Sequence, residues 1–259
     1  MNPSLDGAHA LVTGAGRGIG AAIVSALAAD GARVTLLGRS RDELATHAAS
    51  LPAAARALVV LADVTDEDAL RAAFALSRAQ HGPVAILVNN AGASGSAPFA
   101  QLDRATWDAT IAVNLTATYS CTREVVGEMV AAGRGRIVNV ASTAGLVGGP
   151  YIAAYNAAKH GVIGLTRSLA AEFGRKGITV NAVCPGFTET SMLERTLGRI
   201  ARTTGRTEGG AATALLARNP LGRFVRPEEV ARVVTWLCRA DSAAVNGQAI
   251  VIDGGEVAR

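Results

Sequence analysis

Three polar residues in the middle of the chain have types and a spacing that suit proton transfer to or from an oxygen. Tyr155 and Lys159 are four residues apart, so on a helix they share one face. A nearby ammonium group favours a phenolate, so we expect Lys159 to lower the pKa of Tyr155. Ser142 precedes that helix, and its hydroxyl can hold a carbonyl oxygen. The set predicts acid–base chemistry on an alcohol or a carbonyl, although the spacing alone also fits a surface pair.

A glycine-rich turn near the start of the chain is suited to binding a phosphate. It lies between the first apolar run and a segment with helical periodicity. The set Gly14, Gly18 and Gly20 has a wider spacing between its first two glycines than GxGxxG. Glycines let the backbone approach a pyrophosphate, whose charge is stabilised at a helix N terminus. We therefore predict a dinucleotide site, in preference to a turn without a ligand. The candidate contacts are Gly14, Arg17, Gly18, Ile19 and Gly20.

The end of the second apolar run indicates which nicotinamide dinucleotide fits. A carboxylate there would hold the ribose 2′-hydroxyl of NAD, but Gly38 occupies the position. Arg39 follows it and Arg17 lies in the glycine turn, and two guanidinium groups suit a 2′-phosphate. We therefore predict NADP(H) as the preferred cofactor and NAD(H) as the alternative. The competing interpretation is that Arg39 is a solvated side chain in an arginine-rich chain.

Polar turn residues follow two further apolar runs. Asp63 and Val64 close the third run, and Asn90, Ala91 and Gly92 follow the fourth. The carboxyl ends of parallel strands lie at the edge where open sheets bind ligands, so these residues are candidate cofactor contacts. The carboxylate of Asp63 can accept a hydrogen bond from an adenine amino group. The amide of Asn90 can tie neighbouring loops together.

The elements that must position these residues alternate along the chain. Apolar runs of strand length lie at residues 8–12, 33–37, 58–61, 84–88, 136–140, 178–183 and 248–252. Segments with helical periodicity lie between them, for instance at 18–29, 67–78 and 153–173. This alternation predicts an α/β protein with one domain over residues 1–259. We expect a doubly wound, mostly parallel, seven-stranded sheet with helices on both faces.

Residues 188–222 depart from this alternation. The stretch has weak periodicity and clusters of threonine and glycine, and it precedes a helix start at Pro227. A long excursion from the carboxyl end of a strand is typical of a lid or a binding loop. We expect an irregular substrate lid, with a disordered surface insertion as the alternative.

Composition excludes several classes of protein. The 259 residues are 49% hydrophobic and 18% charged, which fits a globular chain with a large core, and the 4% aromatic share argues against a stacking surface for single-stranded nucleic acid. The net charge of +4 comes from scattered basic residues, so we expect no nucleic-acid partner. The apolar runs are too short to span a bilayer, and we expect neither membrane insertion nor a secretory signal. The 3 cysteines and 4 histidines lack metal-ligand spacing, so we expect no metal and reduced cysteines in a cytoplasmic protein.

Taken together, the motifs resemble those of the short-chain dehydrogenase/reductase family. They follow one another in the order typical of that family and extend over nearly the whole chain. The resemblance implies a single-domain Rossmann fold, usually a homotetramer and otherwise a homodimer, that transfers hydride between a nicotinamide and an alcohol or carbonyl. By position it implies that Tyr155 is the acid–base, that Ser142 positions the substrate oxygen, and that Lys159 tunes Tyr155 and holds the nicotinamide ribose. It also implies that Asn114 anchors a proton-relay water.

The same resemblance assigns a further set of residues to the nicotinamide carboxamide. Pro185, Gly186 and Thr190 match the family segment that holds this group. Thr188 belongs to the same set, although it stands where the family often has valine or isoleucine.

One branch of the family is nearer than the others. The branch is that of the 3-oxoacyl thioester reductases and the aromatic polyketide ketoreductases, which use NADPH, and the resemblance lies in residues 159–162, 178–187, 220–224 and 227–231. The resemblance implies a small-molecule ketone substrate, free or thioester-linked. Residues 193–217 match no branch closely, so a dehydrogenase of a cyclic, aryl or other secondary alcohol remains an alternative. A dinucleotide-sensing module without chemistry is a distant one, because it would not need Ser142, Tyr155 and Lys159 together.

Overall fold

Parallel strands with apolar side chains on both faces form the centre of the protein. The computed structural model describes residues 5–258, and residues 1–4 and 259 of the predicted domain lie outside the described part. The strands are β1 (His9–Thr13), β2 (Arg33–Gly38), β3 (Leu58–Leu61), β4 (Ile86–Asn89), β5 (Gly135–Val140), β6 (Ile178–Pro185) and β7 (Ala249–Ile252). Their order is β3-β2-β1-β4-β5-β6-β7, and each neighbouring pair is parallel. The predicted α/β class and seven-stranded sheet are confirmed, with every strand parallel rather than most.

The register of the central strands places their carboxyl ends at one edge of the sheet. In β1, Val12 pairs with Val88 of β4, and in β5, Val140 pairs with Val183 of β6. The strand order reverses between β1 and β4, and in open α/β sheets a crevice for ligands forms at such a reversal. The residues that follow β1, β4, β5 and β6 therefore meet at this crevice.

Helices cover both faces of the sheet. They are α1 (Gly18–Ala29), α2 (Arg41–Ala49), α3 (Glu67–His81), α4 (Arg104–Ile111), α5 (Ala117–Ala132), α6 (Ala153–Phe173), α7 (Ser191–Thr204), α8 (Glu208–Leu216) and α9 (Pro227–Cys238). Apolar residues of α1 and α9 pack on one face in one core cluster, and those of α3, α5 and α6 pack on the other face in a second. The central strands β1, β4 and β6 are buried along their whole length, as expected for a parallel sheet covered on both faces.

The predicted irregular lid is wrong in its local structure, because residues 188–222 contain two helices. The threonine–glycine cluster that weakened the periodicity marks the boundary between them. Gly205 ends α7 with φ of +71°, and Thr207 caps α8 through a hydrogen bond from the Gly210 N–H. At the base of the excursion, Thr188 and Val225 form a parallel bridge, so its two ends are held side by side.

The structure shows where the three cysteines lie and how long and apolar the helices are. Cys121, Cys184 and Cys238 are free and buried, as expected. Among residues 5–258 the structure contains no helix with the length and apolar character needed to cross a membrane.

A pair of buried imidazoles lies at the amino end of the sheet. The His9 ring bonds to the Gly82 carbonyl through Nδ1 at 2.8 Å and to the Thr35 hydroxyl through Nε2 at 2.9 Å. The His81 ring packs edge-on against it, with ring centroids 5.2 Å apart. Burial, followed by the charges of His81 and Arg33, lowers the pKa of His9 from 6.5 to about 4. His9 is therefore neutral in the folded protein at neutral pH.

Acid should destabilise the protein through His9. Below pH 6.5 the unfolded chain takes up a proton that the folded chain refuses until about pH 4, so stability falls across this window. The expected loss is roughly 2–3 kcal/mol in the free energy of unfolding. Urea titrations at pH 7, 6 and 5 measure it, and the His9→Gln variant should show a shallower pH dependence. His160→Gln, at an exposed histidine, provides a matched control for the replacement of a histidine by glutamine. An equal dependence in His9→Gln and the wild type would contradict the assignment.

Candidate active site

Ser142, Tyr155 and Lys159 meet at the carboxyl edge of the sheet, as the sequence predicts. Ser142 follows the end of β5, and its Oγ accepts a hydrogen bond from the Ala144 N–H at 3.1 Å. Tyr155 lies in the first turn of α6, where its side chain is hydrogen-bonded to that of Ser142. Lys159 lies one turn further along α6, with its Nζ 5.7 Å from the centroid of the Tyr155 ring. A phenol, a hydroxyl and an ammonium group therefore share one site.

The ammonium group of Lys159 is held in a buried position. The residue is only 4% exposed, and its Nζ donates a hydrogen bond to the Val140 carbonyl at 2.8 Å. Burial lowers the pKa of Lys159 from 10.5 to about 8, so it is mainly charged at neutral pH. A Cβ added to Gly92 would lie 3.7 Å from Nζ, which places the loop after β4 directly beside this charge.

The predicted lowering of the Tyr155 pKa is wrong for this arrangement. Burial raises the pKa of the phenol, and the hydrogen bond with Ser142 opposes that effect without outweighing it. Lys159 is turned towards the Val140 carbonyl rather than towards the phenolic oxygen. Tyr155 is therefore protonated at neutral pH and has a proton to donate.

Asn114 lies in a π-helical turn, Ala112–Thr116, between α4 and α5. Its side-chain amide donates to the carbonyls of Ala93 at 2.8 Å and Thr110 at 2.9 Å, and its Oδ1 accepts from the Ala93 N–H at 3.3 Å. A π-helical turn within a helix is common at functional sites. The asparagine fixes the loop that follows β4, so a residue unfavourable in a regular helix has a structural task here.

The glycine turn is closed by the amide of Asn90. Its Nδ2 donates to the carbonyls of Thr13 at 2.9 Å and Gly14 at 3.1 Å, as the sequence predicts for a residue that ties loops together. The Thr13 hydroxyl in turn accepts from the backbone N–H groups of Asn90 and Ala91, both at 3.0 Å. A Cβ on Gly20 would collide with the Gly14 carbonyl and lie 2.5 Å from Asn90 Nδ2. The turn therefore requires glycine at position 20.

The N terminus of α1 is open to an anion. It follows Arg17, which makes no side-chain cap, and its first turn contains no acidic residue. Side-chain caps do close the N termini of other helices, at Ser40, Asp66, Asp103, Thr190 and Thr207. Uncapped N–H groups next to a turn with φ of +64° at Gly14 and +54° at Gly18 form a cradle that suits a pyrophosphate. Ile19 packs against the core below it.

Two exposed arginines lie beside the glycine turn and at the end of β2. Arg17 pairs with Glu43 at 3.0 Å, and Arg39 pairs with Asp63 at 3.4 Å. Asp63 also accepts hydrogen bonds from the backbone and hydroxyl of Thr65, which together with Arg39 lower its pKa. Both guanidinium groups thus have carboxylate partners and retain further donors for a phosphate. Val64, next to Asp63, is buried.

The segment after β6 approaches the glycine turn. Pro185 ends β6, and the Thr188 hydroxyl donates to the Gly186 carbonyl at 3.0 Å. The Thr190 hydroxyl donates to the Thr188 carbonyl at 3.2 Å and caps α7. A Cβ added to Gly18 would lie 3.0 Å from Thr190 Cγ2, so the start of the excursion lies over the dinucleotide cradle.

Two site residues were missed by the sequence reasoning. Asn156, beside Tyr155, donates to the carbonyls of Ala144 at 2.7 Å and Val147 at 2.8 Å and shapes the loop before α6. Tyr151 has φ of +68°, a left-handed conformation unusual for a residue other than glycine. The position of a polar residue next to Tyr155 could have pointed to Asn156, whereas no feature of the sequence points to Tyr151.

Comparisons with known proteins agree with this geometry. The sequence profile of short chain dehydrogenases matches residues 8–199. A Streptomyces violaceoruber protein named as ketoacyl reductase 1 of the granaticin polyketide synthase is 44% identical over 95% of this chain and 92% of its own length. A cis-4-hydroxycyclohexanecarboxylate dehydrogenase from Sinomonas cyclohexanicum is 40% identical over 96% of both chains.

A solved structure gives the same result in three dimensions. A crystal structure of an actinorhodin polyketide ketoreductase variant with NADPH superposes with a TM-score of 0.94 at 39% identity, and the match covers 99% of each chain. The profile, the relatives and the arrangement of Ser142, Tyr155 and Lys159 on this sheet lead to one conclusion: the chain belongs to the short-chain dehydrogenase/reductase family.

Proposed function

We propose that this protein reduces a ketone to a secondary alcohol with NADPH, and that the ketone is a 3-oxoacyl thioester or a polyketide-type ketone. The observation that carries the proposal is the protonated Tyr155, hydrogen-bonded to Ser142 and one helical turn from the buried ammonium of Lys159. Such a group can supply the proton that a carbonyl oxygen needs as it becomes an alcohol.

The chain's own residues account for the proton side of this reaction. NADPH supplies the hydride when it is bound. The Ser142 hydroxyl donates a hydrogen bond to the substrate carbonyl, and Tyr155 transfers its phenolic proton to the same oxygen. The phenolate left on Tyr155 is stabilised by the positive charge of Lys159, and a water anchored near Asn114 passes a proton from bulk solvent on to the phenolate. Positioning by Ser142 and Tyr155 contributes to the rate because the carbonyl is held in a reactive orientation.

The cofactor assignment follows from the cradle at the carboxyl edge. The open N terminus of α1 and the close backbone approach at Gly20 fit a pyrophosphate, with Asn90, Ala91 and Gly92 beside it. Arg17 and Arg39 would hold the 2′-phosphate of NADPH, with NADH as the weaker alternative. Asp63 and Val64 would border the adenine. Pro185, Gly186, Thr188 and Thr190 would hold the nicotinamide carboxamide.

The substrate class rests on the relatives. The granaticin relative is named as a ketoacyl reductase, and the actinorhodin structure is that of a polyketide ketoreductase. The Sinomonas relative supports a second candidate, a dehydrogenase of a cyclic secondary alcohol. The two share the same catalytic groups and differ in the substrate and in the preferred direction of hydride transfer.

We further propose a cytoplasmic homotetramer, or a homodimer. The support is family membership together with exposed apolar side chains on α5 and β7, where Tyr119 is 48% and Val251 is 41% exposed. Such side chains are typical of surfaces that pack against another subunit.

The Gly20→Ala variant should bind NADPH more weakly by at least about tenfold, because the added methyl group displaces the Gly14 carbonyl or the Asn90 amide. Fluorescence titration with NADPH measures the dissociation constant, and circular dichroism verifies the fold. Gly127→Ala is the matched control, since a Cβ there meets no atom within 4 Å. Unchanged NADPH binding by a folded Gly20→Ala protein would refute the cradle.

The Arg39→Ala variant should raise the KM for NADPH by about tenfold and leave the KM for NADH unchanged, because only NADPH carries the 2′-phosphate. Steady-state oxidation of each cofactor with the same ketone measures both values. Arg71→Ala provides a control, as Arg71 pairs with Asp68 on its own helix. Equal effects on the two cofactors would show that Arg39 does not read the phosphate.

The Tyr155→Phe variant should lose NADPH-dependent turnover by at least about 100-fold while its affinity for NADPH changes little, because only the transferable proton is removed. The assay follows NADPH oxidation with 3-oxoacyl thioesters, cyclic ketones and aryl ketones. Tyr119→Phe is the matched control, because it removes the same hydroxyl from a tyrosine of α5 and keeps the aromatic ring that a subunit contact would use. Turnover by folded Tyr155→Phe at the wild-type rate would remove Tyr155 from the chemistry. Turnover only of cyclic alcohols with an oxidised cofactor would select the second candidate.

A further inference from the structure

Three segments near Ser142 and Tyr155 are linked to one another by hydrogen bonds. They are the loop after β4 (residues 93–98), the loop before α6 (residues 146–152) and the helix α7. The first two loops are joined by a hydrogen bond of 2.8 Å from the Ala97 N–H to the Tyr151 carbonyl. Asn114 holds the first loop at Ala93, on the side nearest the catalytic groups. A ketone that binds at Tyr155 would pass between these segments, and we call the gap between them the entrance.

Arg199 links α7 to the loop after β4. Its Nη1 donates a hydrogen bond of 2.6 Å to the hydroxyl of Ser96, a residue 103 positions earlier in the chain. Arg199 is partly buried, whereas Arg195, one turn earlier, is exposed. Arg195 contacts only Ser191 of its own helix among the hydrogen bonds of the described residues, at 3.5 Å. Arg199 is thus the arginine on this face of α7 that reaches across the entrance.

The partner of Arg199 is a neutral hydroxyl. Within residues 5–258, no carboxylate lies within ion-pair distance of Arg199, in contrast to Arg223, which is paired with Glu229 at 2.7 Å. A hydrogen bond from a charged donor to a neutral exposed acceptor shifts an equilibrium by about five- to tenfold. The contact is therefore strong enough to favour a closed entrance and weak enough to open. Gly95 precedes Ser96, and a Cβ there would meet nothing within 4 Å, so no neighbouring atom packs against this side of the loop.

The rim of this entrance is apolar. Tyr151 is 64%, Val147 42% and Phe99 76% exposed, and they lie on or directly after the two loops that the entrance passes between. The left-handed backbone of Tyr151 is retained in spite of its cost, and such strain is typical of residues with a task in ligand binding. An apolar rim favours ketones with an apolar or aromatic body, and the width of the rim then limits how large that body can be.

We propose that Arg199 and Ser96 form a clasp that sets the width of the substrate entrance and thereby the size of ketone the enzyme accepts. The proposal rests on the proposed function, because it assumes that the ketone is reduced at Tyr155. Arg199 is a positioning residue in this scheme: it acts through the loop that carries Ser96. Opening of the clasp admits larger ketones, and closure holds small ones against Ser142 and Tyr155.

The kinetic test compares a small and a bulky ketone, cyclohexanone and 1-tetralone, in the wild type and in Arg199→Met, Ser96→Ala and the double variant. The ratio of kcat/KM for 1-tetralone to that for cyclohexanone should rise about fivefold in each single variant and no further in the double variant. The KM for cyclohexanone should rise with little change in kcat, and the affinity for NADPH should stay constant. Arg199→Lys retains a donor and should restore part of the wild-type ratio.

Arg195→Met is the matched control, because it removes a guanidinium from the same helix face without touching Ser96. Its ratio should stay within about twofold of the wild type. The clasp would be overturned if the ratio of kcat/KM for the two ketones were the same in Arg199→Met and Arg195→Met. It would also be overturned if the effects of Arg199→Met and Ser96→Ala on that ratio added in the double variant.

Hydrogen–deuterium exchange separates this proposal from the proposed function. Loss of the clasp should speed exchange in both residues 93–98 and α7 in Arg199→Met and not in Arg195→Met. Unchanged exchange in Arg199→Met would overturn the clasp, whatever the enzyme turns over. If the wild type reduces no ketone but the exchange responds as expected, the proposed function fails while the contact between α7 and the loop stands.

Discussion

The side-chain amide of Asn90 holds together the two strands between which the order of the sheet reverses. It donates to the carbonyls of Thr13 and Gly14 at the end of β1, while the Thr13 hydroxyl accepts from the backbone after β4. Gly20 must lack a side chain because these same groups fill the space around it. The loop after β4, the start of α1 and the position of Gly92 beside Lys159 all depend on this junction.

Burial has opposite consequences for the two titrating groups of the site. It raises the pKa of Tyr155 and lowers that of Lys159 to about 8, since in each case the charged form is disfavoured. At neutral pH the phenol therefore keeps its proton while the ammonium keeps most of its charge. A proton donor next to a positive charge is the arrangement that ketone reduction requires, because the phenolate formed on donation has a partner only one helical turn away.

The sequence reasoning could predict the parts of this protein that depend on local pattern. Apolar runs bounded by glycine and polar turns located the seven strands to within about two residues at each end, because a strand buried on both faces must be apolar throughout. The spacing of Tyr155 and Lys159 and the position of Ser142, read together with the glycine turn, predicted acid–base chemistry on an alcohol or a carbonyl. The prediction of an irregular segment at residues 188–222 was wrong. Gly205 and Thr207 are residue types common in turns, and they mark the boundary between two helices in this segment.

The sequence by itself determined the α/β class and predicted the dinucleotide turn and the candidate catalytic set, because each is encoded in residue types at short separation. Only the tertiary structure decided which way Lys159 points, that burial outweighs charge in the pKa of Tyr155, and that Arg199 meets Ser96 across the entrance. The physical reason is that these depend on contacts between residues far apart in the chain and on the exclusion of water around them. Local periodicity carries no information about either.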